Sequence, residues 1–537
     1  MKQKDWFPVA IAVILGQILY WPSREAGFVT DFTGLAERIE THGAGGILSS
    51  FGFPALQPVS SIFYFLFYHS FGAGHWGWHL AATLLHTINA LLLFFFVRRL
   101  FHSKGGESFM LVAVGGALLF LLSPYASEVV VWRVGFHYLL VTFFTLLALW
   151  YTLTWLQRPK IITWLFILLW QVLGLLTYEL AVITPLLCLT LGLWQNEKVA
   201  RQFVLIRLFL PQFSLVGLYF LANKLVLGNW IGHYGSAVHL KFPVAEMLGN
   251  IGRYFFKWIG FSRYWPHSWK EGLANGLTQP WALGLTVVLL IGLGFILIKT
   301  FRRSEFHLQL FWIFSLMAMI ALLPVLNLYF NYLLHIENDR YGYLAALFFY
   351  PAWMALLSRL PKPAFLSVSA IYLLVAITLL WQTNQYWSQS TRVYRGLLAG
   401  FDASGQDTCY LLNLPDNLQG APIFRDYSGQ DRAFADALRY VEGKSFNGTL
   451  HEVVQYNMVS PEDGVVVIND STGLKVTFNQ WGNWWWRRGI GASSYRDSAF
   501  IFHNEGHDYR LEWRERPGQA RILYQDGVAW KSIPAMR

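Results

Sequence analysis

Residues 76–100 read WGWHLAATLLHTINALLLFFFVRRL and decide the architecture of the chain. A helix needs about 20 mostly apolar residues to cross the hydrocarbon of a bilayer. This stretch supplies them between two tryptophans at its start and Arg98 and Arg99 near its end. Tryptophan is enriched at membrane interfaces, and arginine is enriched in the cytoplasmic loops beside a span. The stretch therefore predicts a transmembrane helix over 77–97 whose carboxyl end faces the cytoplasm.

The composition of the whole chain agrees with a membrane protein. Of the 537 residues, 55% are hydrophobic and 13% are charged, whereas soluble globular proteins carry about 25% charged residues. The net charge of +10 does not indicate nucleic acid binding, because residues 1–399 hold 27 Lys and Arg against 14 Asp and Glu, while residues 400–537 hold 14 against 17. The basic excess lies in the apolar part, so the expected partner is a lipid bilayer and not nucleic acid.

Eleven segments have the length and apolar character of a span, which predicts a polytopic α-helical membrane protein. They lie at 6–22, 77–97, 108–123, 138–156, 161–177, 180–195, 208–226, 281–299, 308–326, 341–358 and 364–382. Short basic connectors follow every second span, and the positive-inside rule places them in the cytoplasm with the amino terminus. The odd number of spans places the carboxyl-terminal region on the extracytoplasmic side of a plasma or inner membrane.

This topology divides the chain into three regions. A transmembrane domain covers 1–382, with outer loops at 23–76 and 227–280, and a connecting helix covers 383–400. From 401 to 537 the composition shifts to Asp, Gly, Asn and short alternating runs, which predicts a mostly β extracytoplasmic domain. Its four tryptophans between 481 and 486 suit sugar stacking or docking at the membrane interface, and filling a core explains them equally well.

Three acidic residues lie near the predicted outer ends of the spans. Asp31 follows the first span in an apolar context, Glu128 opens the fourth, and Glu179 lies on the turn between the fifth and the sixth. An acid at such a depth is costly unless it is paired or lines a polar cavity, so each is a functional candidate. Capping of a helix amino terminus explains Glu128 and Glu179 equally well. No apolar helix is expected directly after Asp31, which favours a functional role there.

Basic and aromatic side chains on the same outer side are candidates for binding a phosphate. Arg340 and Tyr341 open the tenth span, and Arg340 suits either snorkelling to lipid phosphates or bidentate binding of a substrate phosphate. Residues 244–258 place Arg253 and Lys257 on one side of a helix and aromatic residues on the other. That pattern predicts a helix lying in the membrane interface.

His79 and His86 share one face of the second predicted span. With no Cys or third His at ligand spacing, interhelical hydrogen bonding is a better interpretation than a metal site. Acids from three separate loops leave a divalent cation open, but nothing in their spacing requires one. No other cofactor is predicted, because the sequence contains no nucleotide-binding loop.

Five motifs are spread over residues 28–344 in a characteristic order. They are FVTD at 28–31, WHLAATLLHTINALL at 78–92, SPYASEVVVW at 123–132, YELAVITP at 178–185 and DRYGYL at 339–344. Together they resemble integral-membrane glycosyltransferases of the GT-C fold, in particular protein O-mannosyltransferase-like proteins and the membrane half of the transmembrane-and-tetratricopeptide O-mannosyltransferases. The resemblance implies transfer of a sugar from a polyprenyl-phosphate donor to an extracytoplasmic acceptor hydroxyl.

The resemblance also implies roles for the candidate residues. Asp31 takes the position of the catalytic base and would accept the proton of the attacking hydroxyl, giving inversion at the anomeric carbon. The remaining candidates would bind substrate: the donor phosphate by the basic residues, and sugar or acceptor hydroxyls by the acids. They are Glu128, Glu179, Arg340, Tyr341, His79, Arg253 and Lys257.

The chain departs from the family pattern at three places. Phe32 replaces a second acid that many relatives have, Leu56-Gln57-Pro58 replaces Tyr-Arg-Pro, and Gly135-Phe136 replaces Gly-Arg. The donor sugar and the acceptor therefore do not follow from the resemblance. Two other functions stay open: a transporter or flippase of lipid-linked glycans, for which we find no inverted repeat, and a lipid-glycan ligase or polymerase with similar outer loops.

Overall fold

The computed structural model describes residues 6–100, 107–195, 201–232, 243–300, 305–328, 336, 338–425, 432–470, 473–478, 484–485, 494–506, 508–514 and 520–533. Within these residues the chain is mostly helical up to residue 399 and rich in strands after it. The predicted connectors that contain Lys104, Lys198 and Arg302 lie partly outside the described residues.

The α-helices are numbered in chain order. They are α1 Trp6–Tyr20, α2 Asp31–His42, α3 Pro58–Phe71, α4 His75–Leu100, α5 Glu107–Leu121, α6 Ser127–Val131, α7 Phe136–Gln157, α8 Ile161–Leu175, α9 Thr184–Gln195, α10 Arg201–Val204, α11 Leu210–Leu227, α12 Val244–Gly260, α13 His267–Gly276, α14 Pro280–Thr300, α15 Phe306–Leu322, α16 Tyr343–Leu357, α17 Lys362–Ala399 and α18 Ala433–Tyr440.

The strands all lie in the carboxyl-terminal region. They are β1 Thr408–Leu411, β2 Leu414–Leu418, β3 Ala421–Pro422, β4 Thr449–Glu452, β5 Gln455–Met458, β6 Val465–Asp470, β7 Gly473–Phe478, β8 Trp484–Trp485, β9 Tyr495–Arg496, β10 Phe500–Asn504, β11 Asp508–Trp513, β12 Arg521–Asp526 and β13 Ala529–Ile533.

The chain divides into two compact units. The first comprises Met1–Trp21, His42–Gly72 and Trp76–Thr383, and the second comprises Pro22–Thr41, Ala73–His75 and Asn384–Arg537. The second unit therefore includes the start of the first outer loop, which the sequence analysis assigned to the transmembrane domain. Residues 383–399, predicted as a connecting helix, are helical and continue α17 without a break.

Each of the eleven predicted spans contains an α-helix, but the helices differ in length. Five stretches are long and apolar enough to cross a membrane: His75–Leu100, Arg133–Gln157, Gln202–Leu227, Phe306–Val325 and Lys362–Ala399. Two bent pairs raise the number to seven if each pair is one span: Phe109–Leu121 with Pro124–Val131, and His267–Gly276 with Pro280–Gly292. The described residues thus hold five to seven candidate spans, consistent with a membrane-embedded protein, and the number eleven stays a prediction.

Helix length explains why α8 is not among these stretches. Helix α8 has 15 residues, which corresponds to about 22 Å at 1.5 Å per residue and is less than the roughly 30 Å of a hydrocarbon core. The apolar runs are longer than the helices because turns such as Leu176-Thr177 interrupt them. An apolar run read from sequence therefore overestimates the straight helical length.

A bend after α5 positions the first acidic candidate. The two parts of the bent pair meet at an angle of 48°, where Pro124 begins a 3-10 turn and the Ser123 side chain accepts a hydrogen bond from the Tyr125 amide at 3.3 Å. Proline fits the first position of such a turn because no helical partner exists there for its missing N–H. The turn leads directly into α6, which carries Glu128.

The second unit contains three sheets. A five-stranded antiparallel sheet has the order β6-β7-β11-β10-β9, and two four-stranded mixed sheets have the orders β13-β12-β1-β4 and β3-β2-β5-β8. The mostly β character predicted for 401–537 is confirmed, with α18 as the helix within that range. Trp484 and Trp485 form β8 beside β5, whereas Trp481 and Trp486 of the tryptophan run lie outside the described residues.

The sequence predicts no apolar helix directly after Asp31, and the helix that begins there is amphipathic. Asp31 is the first residue of α2, a helix of 12 residues. Its buried side chains recur at helical spacing, at Phe32, Leu35, Ala36 and Ile39. This period of three and four marks an amphipathic helix, and two glutamates and an arginine on the other positions hid it from a search for apolar runs.

A close approach within the second unit gives a test of its packing. A Cβ built on Gly396 of α17 would lie 2.7 Å from the Val528 carbonyl oxygen, and the Trp530 indole donates to the Leu397 carbonyl at 2.8 Å. We expect Gly396→Ala to cost about 1–3 kcal/mol through overpacking, measured as a lower unfolding temperature of the full chain.

Gly217→Ala in α11 is the matched control for helix propensity. A Cβ there meets no atom within 4 Å, so alanine should be neutral or stabilising by about 0.5–1 kcal/mol. Equal unfolding temperatures for the two alanine variants would contradict the packing described for α17.

Candidate functional site

A cluster of five charged side chains, four of them buried and Arg340 partly exposed, forms in the first unit from four separate segments. Glu128 belongs to α6, Lys257 to the end of α12, and Arg263 to a 3-10 turn, Ser262–Tyr264, directly after α12. Asp339 and Arg340 lie on a 3-10 turn, Asp339–Gly342, directly before α16. We refer to these five residues as the charge cluster.

Asp339 holds two cations at one carboxylate oxygen. The Lys257 Nζ lies 2.6 Å from Asp339 Oδ1, and an Nη1–H of Arg263 donates to the same oxygen at 2.9 Å. The Lys257 and Arg263 side chains are 0% exposed, and that of Asp339 is 1% exposed. A buried charge is tolerated only when it is paired, so the position of each residue depends on the other two.

Arg340 and Glu128 form the second half of the cluster. The backbone N–H of Arg340 donates to Glu128 Oε2 at 2.8 Å, and its guanidinium donates to Glu128 Oε1. The guanidinium also lies over the Trp132 ring at 4.9 Å and the Tyr341 ring at 4.8 Å. Contacts between a guanidinium and an aromatic face fix its plane, so Arg340 is held in one orientation.

Aromatic rings surround the ammonium group as well. Lys257 Nζ lies 4.6 Å from the centre of the Tyr125 ring and 5.3 Å from that of Tyr254. Tyr125 lies on the turn that precedes α6, and Tyr254 lies one turn before Lys257 on α12. Ring faces carry partial negative charge and stabilise a cation that has left water.

The charge cluster combines three cationic and two anionic side chains. Lys257, Arg263 and Arg340 are the cations, and Glu128 and Asp339 are the anions. Because these groups are largely shielded from water, their charges act more strongly on a ligand than they would at an exposed surface. Chemically, the arrangement suits a ligand with one or two negative charges, such as a phosphate.

Burial shifts the pKa values of two members of the cluster. Loss of hydration lowers the pKa of Lys257 to about 8, although Asp339 opposes the shift. Burial also raises the pKa of the Asp339 carboxyl, against the opposing charges of Arg263 and Lys257. A lysine with a pKa near neutrality carries a charge that pH can remove.

The structure shows which side of α12 is buried. The helix is amphipathic, as the sequence indicated, with Lys257 facing inward and buried, whereas Phe255 is 53% exposed and Phe256 36% exposed. Lys257 thus pairs with the buried carboxylate of Asp339 inside the first unit. The position of the helix in a membrane interface stays a prediction.

Other predicted site residues lie in different surroundings. Arg253 donates to Asn250 Oδ1 at 3.0 Å on its own helix. Glu179 accepts the backbone N–H of Gly232 at 2.8 Å, which ties the second outer loop to the turn before α9. His79 is buried on α4. The expected interhelical hydrogen bonding is confirmed for His86, whose ring contacts the Tyr343 hydroxyl at 2.7 Å and the Leu121 carbonyl at 3.1 Å.

Asp31 belongs to the second unit, where it lines a cavity of about 200 Å³. Of the predicted residues, the structure thus brings Glu128, Arg340, Tyr341 and Lys257 together. Among the described residues, no group of three or more His, Cys, Asp or Glu side chains is placed to hold a metal ion.

Sequence reasoning missed two members of the cluster. Asp339 stands beside Arg340 in the DRYGYL motif, but it was not weighed as a partner for a cation. Arg263 lies in the segment FSRYWP after α12. A signal was present, since three cations and only one acid at 244–263 imply that carboxylates from elsewhere in the chain approach this segment.

No protein-family model, no curated protein and no solved structure matches this chain. A proposal for the function of this chain therefore rests on the residues of the charge cluster.

Two substitutions in the cluster should differ strongly in stability. Asp339→Asn leaves Lys257 and Arg263 without their shared carboxylate, which should cost about 3–5 kcal/mol. Lys257→Met keeps the side-chain length and leaves Arg263 and Asp339 as a balanced pair, so its cost should be smaller. Thermal unfolding of the full chain in detergent measures both, and an equal loss in the two variants would contradict the charge balance.

The pH dependence of unfolding follows from the same lysine. Its folded pKa of about 8 lies below its ordinary value of 10.5, so between these values the unfolded chain binds more protons than the folded one. Stability contributed by this group therefore rises as pH increases through that window. Wild type should gain unfolding temperature relative to Lys257→Met between pH 7.5 and about 9.5. A constant difference would show that Lys257 keeps its ordinary pKa.

Proposed function

We propose that the chain is a membrane glycosyltransferase that moves a sugar from a polyprenyl-phosphate donor to an extracytoplasmic acceptor hydroxyl. The observation that carries the proposal is the charge cluster, in which three cations and two carboxylates lie together largely shielded from water. A lipid-linked donor reaches such a site from the bilayer, so no nucleotide-binding loop is needed. The motifs that resemble the GT-C glycosyltransferases support the same reaction.

The proposed topology retains the finer predictions from the sequence. Eleven spans begin in the cytoplasm, and the second unit lies on the extracytoplasmic side. Acceptor and donor sugar then meet outside the cytoplasm, where the positive-inside rule places the long outer loops. Exposed apolar side chains on α11, α14 and α17, such as Leu225, Leu289 and Leu374, support contact with lipid.

The cations of the charge cluster differ in how accessible they would be to a phosphate. The Arg340 side chain is 12% exposed, whereas Lys257 and Arg263 are 0% exposed. In this proposal Arg340 contacts the donor phosphate directly, while the two inner cations stabilise its charge at longer range. Glu128 is a positioning residue, because its carboxylate holds Arg340.

The reaction proceeds by inverting displacement. The acceptor oxygen forms a bond to the anomeric carbon, and the bond from that carbon to the phosphate oxygen breaks. Polyprenyl phosphate leaves with the electron pair, and the cations stabilise the negative charge that develops on it. The resemblance assigns the acceptor proton to Asp31, which acts as general base. The acceptor thus gains the sugar and loses a proton, and the donor loses the sugar and leaves as polyprenyl phosphate.

Release of polyprenyl phosphate separates the proposal from its rivals. The full chain in nanodiscs is given a radiolabelled polyprenyl-phosphate sugar, with and without a panel of soluble glycosides and hydroxyl-bearing peptides. A transferase releases polyprenyl phosphate when an acceptor is added, whereas a transporter or flippase moves the intact donor. Product linkage distinguishes a ligase or polymerase. Absence of release with every acceptor of the panel would overturn the proposal.

Asp31→Asn tests the base in the same assay. An amide cannot accept the proton, so turnover should fall by about 10²–10⁴-fold while donor binding is retained. Glu40→Gln, an exposed residue of the same helix, is the matched control and should turn over normally. Wild-type turnover by Asp31→Asn would remove the assignment of Asp31.

Substitutions of Arg340 and Lys257 test how the donor binds. Arg340→Ala should weaken binding of the donor about tenfold to 100-fold, the worth of one or two charged hydrogen bonds, and Arg340→Lys should weaken it less. Wild-type affinity should also fall as pH rises through about 8, because Lys257 then loses its charge. Lys257→Met should remove this dependence. Equal, pH-independent affinity in all variants would contradict phosphate binding at the cluster.

A further inference from the structure

The cavity in the second unit is built from four separate segments. The wall from α2 contributes Asp31, Gly34 and Arg38, the chain after β3 contributes Phe424 and Arg425, and α18 and α17 complete it with Asp436 and Tyr394. Its volume of about 200 Å³ is below the range of roughly 300–1,000 Å³ that accommodates drug-sized ligands. The space therefore fits one small molecule or the end of a larger one.

Charges of both signs surround the cavity in near balance. Asp31, Glu37 and Asp436 are acidic, and Arg38 and Arg425 are basic. Arg425 is 5% exposed, and its Nε–H and Nη2–H both donate to Asp416 Oδ2, at 3.0 and 2.9 Å. A bound phosphate would lie beside carboxylates that repel it, and a bound metal ion would lie beside guanidinium groups that repel it. Such like-charge contacts disfavour both kinds of ligand.

The rim of the cavity is held by one further cation. The Arg432 guanidinium donates to Glu37 Oε1 at 3.3 Å and to Asp436 Oδ1 at 3.1 Å. These contacts connect α18 to α2 and place two carboxylates at the rim of the cavity. A site with preorganised hydrogen-bonding groups loses little entropy when a ligand binds.

The base of the cavity is aromatic and apolar. Tyr394 and Phe424 are buried, with ring centres 4.8 Å apart, and Ile423 and Ala437 beside them are also buried. Carboxylates accept the protons of hydroxyl groups, guanidinium groups donate to hydroxyl oxygens, and ring faces pack on C–H groups. A neutral ligand with many hydroxyls and one apolar face uses all three.

We propose that this cavity binds one sugar ring, either of a monosaccharide or at the end of a larger carbohydrate. That this carbohydrate is the acceptor rests on the proposed function, in which Asp31 is the general base. Asp31 also lines the cavity. Binding itself requires no transfer and stands on the lining residues alone. The acceptor of the transferase would then be a glycan or glycolipid sugar and not a peptide hydroxyl.

Gly34 provides a direct way to close the cavity. A Cβ built on this residue meets no atom within 4 Å, and glycine forms helices less readily than residues with a side chain. Gly34→Leu therefore fills the space without straining α2. Gly217→Leu, at an exposed helical glycine of α11 with equally open surroundings, is the matched control.

The experiment measures binding of methyl glycosides of glucose, galactose, mannose and N-acetylglucosamine, and of their disaccharides. Saturation-transfer NMR on the full chain in nanodiscs should detect at least one of them, with a dissociation constant in the order of millimolar. Gly34→Leu should weaken that binding at least tenfold, and Gly217→Leu should leave it unchanged. Asp436→Asn, a smaller change, should weaken it as well, with thermal unfolding confirming that the variants fold.

Three results would overturn the inference. They are the absence of binding by every glycoside, unchanged binding in a folded Gly34→Leu variant, and competition of the glycoside by inorganic phosphate alone. Failure here with acceptor-dependent release of polyprenyl phosphate intact would remove only the carbohydrate cavity. Glycoside binding that is lost in Gly34→Leu, in a chain that transfers no sugar, would support the cavity and remove the transferase.

Discussion

The charge cluster of the first unit depends on one carboxylate oxygen. Asp339 Oδ1 contacts both Lys257 and Arg263, which are separated from it by about 80 residues of chain. Its neighbour Arg340 reaches Glu128 on α6. The turn before α16 thereby connects the end of α12 with the bend after α5, and removal of this one carboxylate would leave two buried cations unbalanced.

The charge cluster contains more cations than carboxylates, three against two. Replacing buried ion pairs with well-packed apolar side chains is often neutral or stabilising, so stability alone does not explain why these charges occur here. In the proposed function the cations are preorganised partners for an anion, since no solvent reorganisation is needed when the anion arrives.

The sequence predicted the helical, membrane-like character of the chain and the strand-rich tail, because composition and periodicity report burial directly. It also found Glu128, Arg340 and Lys257, since charges among apolar residues stand out. It could not predict which charges pair, because the Lys257–Asp339 contact joins distant segments and nothing in either segment encodes the other. Helix α2 was missed for a different reason: its apolar side chains Phe32, Leu35 and Ile39 are spaced among charged ones.

The orientation of α12 has a consequence for the interior of the first unit. Phe255 and Phe256 are exposed on the same helix that turns Lys257 inward, so one helix carries both an apolar outer face and a charged inner side chain. Burial of apolar area is worth about 25 cal/mol per Å², so a surrounding that covers the two phenylalanines would stabilise the helix in this orientation. In the proposed membrane location that surrounding is lipid. Its removal would then disturb the contact between Lys257 and Asp339 before it unfolds the chain.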